Sequence, residues 1–112
     1  MAGMTDVMCL SQFQDELRRI ARFDVSAPPE NPLNAALQKI NDNPACAPAR
    51  LLGRMLSALT YERGEFRRAE ASAFDTATLR LVIALMNAAR TGTHPRAEWL
   101  DAIRAADSAI SP

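Results

Sequence analysis

Histidine, cysteine and convergent acids carry most protein chemistry, and this chain is sparing with them. Its one histidine, His94, stands between Thr93 and Pro95. A metal site there would need further His, Cys, Asp or Glu side chains at fixed spacings, and the neighbouring sequence supplies none. As a general base, His94 would need a nucleophile or an orienting carboxylate within hydrogen-bond reach. Its place beside a proline suits a capping or turn residue at a helix start instead. Cys9 and Cys46 lie far apart and lack any C-x-x-C or Cys-His spacing, so they read as two buried thiols of a cytoplasmic protein. Asp15 and Glu16 are adjacent, and adjacent side chains on a helix point apart. No nucleophile elbow, Walker loop or dinucleotide fingerprint is present, and four glycines leave little room for a phosphate cradle. No catalytic residue, metal ligand or cofactor is therefore assigned. His94 and Tyr61 are the only side chains that suggest an enzyme, and they form no constellation.

Arginine is the residue type with the strongest local pattern. Of thirteen basic side chains only Lys39 is a lysine, a bias expected of a GC-rich bacterial genome and suited to bidentate anion recognition. Net charge is zero, so no global field draws the chain to nucleic acid or an acidic membrane. Between Arg50 and Arg96, however, eight arginines face only four acids, and acidic flanks restore the balance. Arg50, Arg54, Ser57 and Tyr61 recur at helical spacing, with Arg63, Arg67 and Arg68 just beyond. These seven residues form the candidate anion or partner surface, with Arg to contact phosphates and Tyr to stack on bases or ribose. Glu62, Glu65 and Glu70 interleave with them and can pair with the same guanidiniums.

The elements that position these side chains read as helices. Leu10, Phe13, Leu17, Ile20 and Ala21 mark a first helix from about Asp6 to Phe23, with Thr5 or Asp6 as its cap. A proline-rich connection, residues 24–32, separates it from the rest. Asn31-Pro32 opens a short second helix through Leu33, Ala36, Leu37 and Ile40, which Asn41-Asp42-Asn43-Pro44 stops. Pro48 starts a third helix running to about Arg63, with Gly64 expected in the left-handed conformation at its end. Phe66 to Arg90 reads as one long helix, with a kink or fresh start near Ser72 as the alternative that Ser72-x-x-Asp75 suggests. Gly92 ends it. Thr93 or His94 then caps a last helix, with Pro95 in its first position and Trp99, Leu100, Ile103, Ala106 and Ile110 facing inward. No run of four or more alternating residues marks a strand.

The expected architecture is thus all-α, a single domain over residues 1–112, with about five helices around a long apolar helix at 66–90. One hundred and twelve residues suffice to bury a core without metal or disulfide staples. Aromatics are only 5%, which leaves an aliphatic core suited to helix packing. The longest apolar run, Leu81 to Met86, is far too short to span a membrane, and no basic region precedes a long apolar run to mark a secretory signal.

The long helix is apolar all round, so a second covered face is expected beyond the core. Phe66, Phe74, Leu81 and Leu85 form the candidate oligomer face, and a two-fold homodimer is the commonest way to bury such a stripe. The primary functional expectation is a small protein–protein interaction or regulatory module acting as a homodimer, with an unidentified protein partner open to it. The alternative is a nucleic-acid-binding regulator, using either the Arg50–Arg68 surface or a degenerate helix-turn-helix over residues 76–107. Against that motif, the second helix carries Arg96 and Arg104 beside Glu98, Asp101 and Asp107.

Overall fold

A computed structural model describes residues 7–21 and 31–110 of the chain. The caps expected at Thr5 or Asp6, the end of the first helix at Phe23 and the proline-rich stretch up to Glu30 lie outside them. The element order is β1 (Val7–Cys9), α1 (Leu10–Ala21), α2 (Pro32–Asp42), α3 (Ala47–Tyr61), β2 (Glu65–Arg67), a 3-10 helix (Arg68–Ala73), α4 (Thr76–Thr91) and α5 (Arg96–Ile110). The fold class is all-α, with five α-helices and one small two-stranded sheet among the described residues.

Helix boundaries follow local chemistry at most ends. The Asn31 side chain accepts a hydrogen bond from the Asn34 backbone N–H at 3.2 Å, capping α2, with Pro32 in the first turn. Asp75 does the same for α4 through the Thr78 N–H at 2.8 Å. Gly92 closes α4 at φ 71°, and its N–H bonds the Ala88 carbonyl. In α5 the first helical residue is Arg96 rather than Pro95, whose carbonyl accepts from Glu98 N at 3.0 Å.

Three expectations need correction. Residues 66–90 are not one helix. Phe66 lies in β2, paired antiparallel with Met8, and α4 begins only at Thr76. Tertiary contacts override helical propensity there: Phe66 is buried and stacks on Phe13, while Arg54 reaches the Glu65 carbonyl at 2.8 Å and pairs with Glu70. The strands escape a periodicity search because each is only three residues long. At the end of α3 the left-handed residue is Glu62, φ 56°, not Gly64. Glu62 and Arg63 both donate their backbone N–H to Ala58 O, closing the helix two residues earlier than expected. Gly64 is required for space instead: a Cβ there would sit 3.1 Å from both the Ala58 Cβ and the Phe66 ring.

α4 is the centre of the bundle. It packs against α1, α2 and α3, and buries Leu79, Leu81, Val82, Ala84, Leu85, Met86 and Ala88. α5 lies across α2 and α3 rather than on α4. α3 accommodates it at Gly53, where a Cβ would stand 3.0 Å from the Ile110 side chain. The Arg18 guanidinium donates to Asn87 Oδ1 at 3.1 Å, tying α1 to α4.

The proposed oligomer face is spent inside the chain. Phe66, Phe74, Leu81 and Leu85 are 2%, 8%, 6% and 0% exposed. The apolar excess of α4 is met by α1, α2 and α3. Neither cysteine is fully buried either: both thiols are free, Cys9 is exposed and Cys46 half-buried.

Candidate functional site

The seven-residue surface read from the sequence is only partly available to a ligand. Arg54 lies with its guanidinium 4.9 Å above the Phe66 ring, in an ion pair with Glu70. Arg68 stands 3.7 Å from Glu16. The Arg67 backbone N–H donates to Glu70 at 2.8 Å, while its side chain is exposed. Tyr61 is exposed on one side and carries the Arg96 guanidinium 5.5 Å over its ring. Arg54, Ser57, Tyr61 and Arg63 do surround one shallow depression of about 310 Å³, and Arg50 is exposed farther along α3. Arg54 braces the β2 region and Arg68 is paired with Glu16, which leaves Arg50, Arg63 and Arg67 as the exposed cations of this surface.

A larger basic cleft, of about 940 Å³, lies where α1, the end of α3, the end of α4 and the start of α5 meet. Each element contributes one cation: Arg18 from α1, Arg63 from the turn after α3, Arg90 from the last turn of α4, and Arg96 from the first turn of α5. Among the described residues only Asp15 and Glu62 line it with opposite charge. The chain is neutral overall, so the excess is local. Leu10 and Ala89, half-buried, form its apolar floor over the nearly covered Leu59, Met86 and Trp99.

The four guanidiniums are not equivalent. Arg18 is engaged by Asn87, and Arg96 donates to the Thr60 carbonyl at 3.3 Å, one of the carbonyls left unpaired at the end of α3. Arg63 and Arg90 have no hydrogen bond or ion pair from their side chains to any described residue. Both are exposed. Two arginines are therefore fixed in the wall, and two are free to turn toward an anion.

His94 also lines this cleft, with a side chain only 12% exposed. Its Nδ1 lies 2.8 Å from a Glu98 carboxylate oxygen. A carboxylate only accepts, so this contact places a proton on Nδ1. Nε2 is enclosed and makes no hydrogen bond. The orienting carboxylate that sequence spacing failed to show is thus Glu98, one helical turn on.

Cys9 stands at the other wall of the cleft. Its thiol lies 3.4 Å from the Ser11 hydroxyl. That hydroxyl, and after it the Gln12 backbone N–H at the open end of α1, hold the thiol below its ordinary pKa. Among the described residues no group of three His, Cys, Asp or Glu side chains is placed to hold a metal ion, and no helix is long and apolar enough to cross a membrane.

Arg18, Arg90 and Arg96 are absent from the surface read in the sequence. Arg18 and Arg90 lie in the last turns of their helices, where basic residues offset the dipole, and that is the only signal they carry; Arg96, in the first turn of α5, lacks even that. Their convergence depends on how the helices cross. The helix-turn-helix reading meets a different geometry: α5 packs on α2 and α3, and its first-turn Arg96 is committed to Thr60 and Tyr61. Compared with known proteins, the chain matches no family model, no curated protein and no solved structure.

Proposed function

We propose that this protein is a binding module that seats a small anionic ligand in the cleft between α1, α3, α4 and α5. One observation carries the reading: among the described residues, four arginines from four separate segments line one concavity with only two carboxylates. The cleft is of the size that small-molecule sites occupy, roughly 300–1,000 Å³. Arginine forks suit phosphate and carboxylate oxygens, and binding to the cleft would need no chemistry from His94 or Cys9.

Trp99, the only tryptophan, lines the cleft and reports on it. Titration with inorganic phosphate, citrate and tripolyphosphate at low ionic strength is expected to change its fluorescence saturably for at least one anion. The effect should weaken with added salt and disappear in the double variant Arg63→Ala/Arg90→Ala. No saturable change with any of the three, or an equal change in that variant, overturns the reading.

The nucleic-acid alternative draws on the same charge, but the described aromatic residues favour the small ligand. Phe66 and Trp99 are buried, and Tyr61 is covered on one side by Arg96. Single-strand binders instead present open aromatic faces for stacking. Self-association has lost its motive at Phe66, Phe74, Leu81 and Leu85, and light scattering at micromolar concentration reads it directly.

A further inference from the structure

We infer that the ligand of the cleft is a phosphomonoester carrying an apolar organic body; this rests on the anion-binding reading above. Charge matching is the first argument. Two guanidiniums, Arg63 and Arg90, line the cleft with no partner among the described residues, while Arg18 and Arg96 are held by Asn87 and Thr60. A single carboxylate occupies one arginine fork. A phosphomonoester brings three oxygens and close to two negative charges near pH 7, so both free forks find partners on one group. The second argument is the floor. Leu10 and Ala89 line the cleft half-exposed, beside the nearly covered Leu59 and Trp99, and inorganic phosphate would leave that apolar surface uncovered. An organic body attached to the phosphate would lie on it and remove it from water. The third is the placement of acids. Asp15 and Glu62 share the wall and repel a larger, more highly charged polyanion, so one phosphate is favoured over a chain of them.

Calorimetry with four probes tests this: phenyl phosphate, its methyl phosphodiester, inorganic phosphate and phthalate. Phenyl phosphate should bind tightest. The diester, with one charge, should bind about tenfold weaker. Inorganic phosphate, with no body for the floor, should also be about tenfold weaker. Arg63→Ala and Arg90→Ala should each lower phenyl phosphate affinity while leaving the thermal midpoint of the protein unchanged. Leu10→Ser should reduce the advantage of phenyl phosphate over inorganic phosphate. The inference falls if phthalate matches phenyl phosphate, which would mark a dicarboxylate site and leave the anion reading standing. It falls equally if the diester or inorganic phosphate binds as tightly. Should no probe bind, both readings fail together, and the phosphate, citrate and tripolyphosphate titrations of Trp99 show the same.

Discussion

Phe13 and Phe66 stack with ring centroids 4.4 Å apart and planes within 6° of parallel. The pair joins α1 to β2, and Arg54 caps its other face from α3. Neither ring has measurable exposure beyond 2%. Truncation of Phe66 removes the stack, the strand anchor and the Arg54 contact together. Phe66→Ala is expected to cost about 3–5 kcal/mol, the upper range for a buried aromatic. Arg54→Ala should cost distinctly less, because its ion pair is partly solvated. Urea unfolding of the two variants measures the difference.

Leu85 is fully buried within one chain. Leu85→Glu places a charge where no partner for it is present, and should abolish cooperative folding. An interface position would behave otherwise, giving a folded monomer. Circular dichroism and light scattering on the same sample separate the outcomes.

The Asp75 side chain caps α4, accepting from the Thr78 N–H at 2.8 Å. Asp75→Ala removes that cap and should lower stability by about 1 kcal/mol. A lower thermal midpoint is the expected reading.

Glu62 and Gly64 are expected to respond in opposite directions to changes at the end of α3. Glu62 adopts a left-handed conformation with φ 56°, which favours glycine. Glu62→Gly should gain about 0.5–1 kcal/mol, the relief of backbone strain less the added freedom of the unfolded chain. It also removes a carboxylate from the cleft, so anion affinity should rise. Gly64→Ala forces a Cβ to 3.1 Å from the buried Phe66 ring, and should cost about 1–3 kcal/mol. Differential scanning calorimetry of both variants tests the contrast.

Stability should also fall in mild acid, through named carboxylates. Burial pushes the Glu70 carboxyl up, but the Arg67 N–H and Arg54 together outweigh it and hold the group below its ordinary 4.5. Hydrogen bonds from Thr78, with Lys39 nearby, hold Asp75 below 3.8. Both are depressed on folding, so their contribution is complete above those ordinary values and is lost as pH falls through the lower folded ones. The urea midpoint should hold between pH 7 and 5 and drop below about pH 4.5. Glu70→Gln should lower the midpoint at neutral pH and flatten that decline.

The described helices were largely legible because their ends carry local signals. Asn31-Pro32 and Gly92 act within a few residues of themselves, and the apolar spacing of Leu52, Met55, Leu56 and Leu59 marks one inward face. The segment from Glu65 to Asp75 was not legible. Its residues keep helical spacing, but what they adopt is decided by Phe13, Met8 and Arg54, all distant in sequence. The same division runs through the site. Residue types alone showed that arginine is the abundant charged group and that His94 has no ligand cluster in the neighbouring sequence. They also placed Arg54, Tyr61 and Arg63 on one surface, which the structure retains around a shallow depression. The sequence by itself determined an all-α chain with apolar stripes and a basic middle, because helix periodicity and capping are short-range. Tertiary structure alone decided which arginines are spent on Glu16 and Glu70 and which are left facing a cleft. That depends on where helix ends meet, and helix ends far apart in the chain are brought together only by the packing of their buried faces.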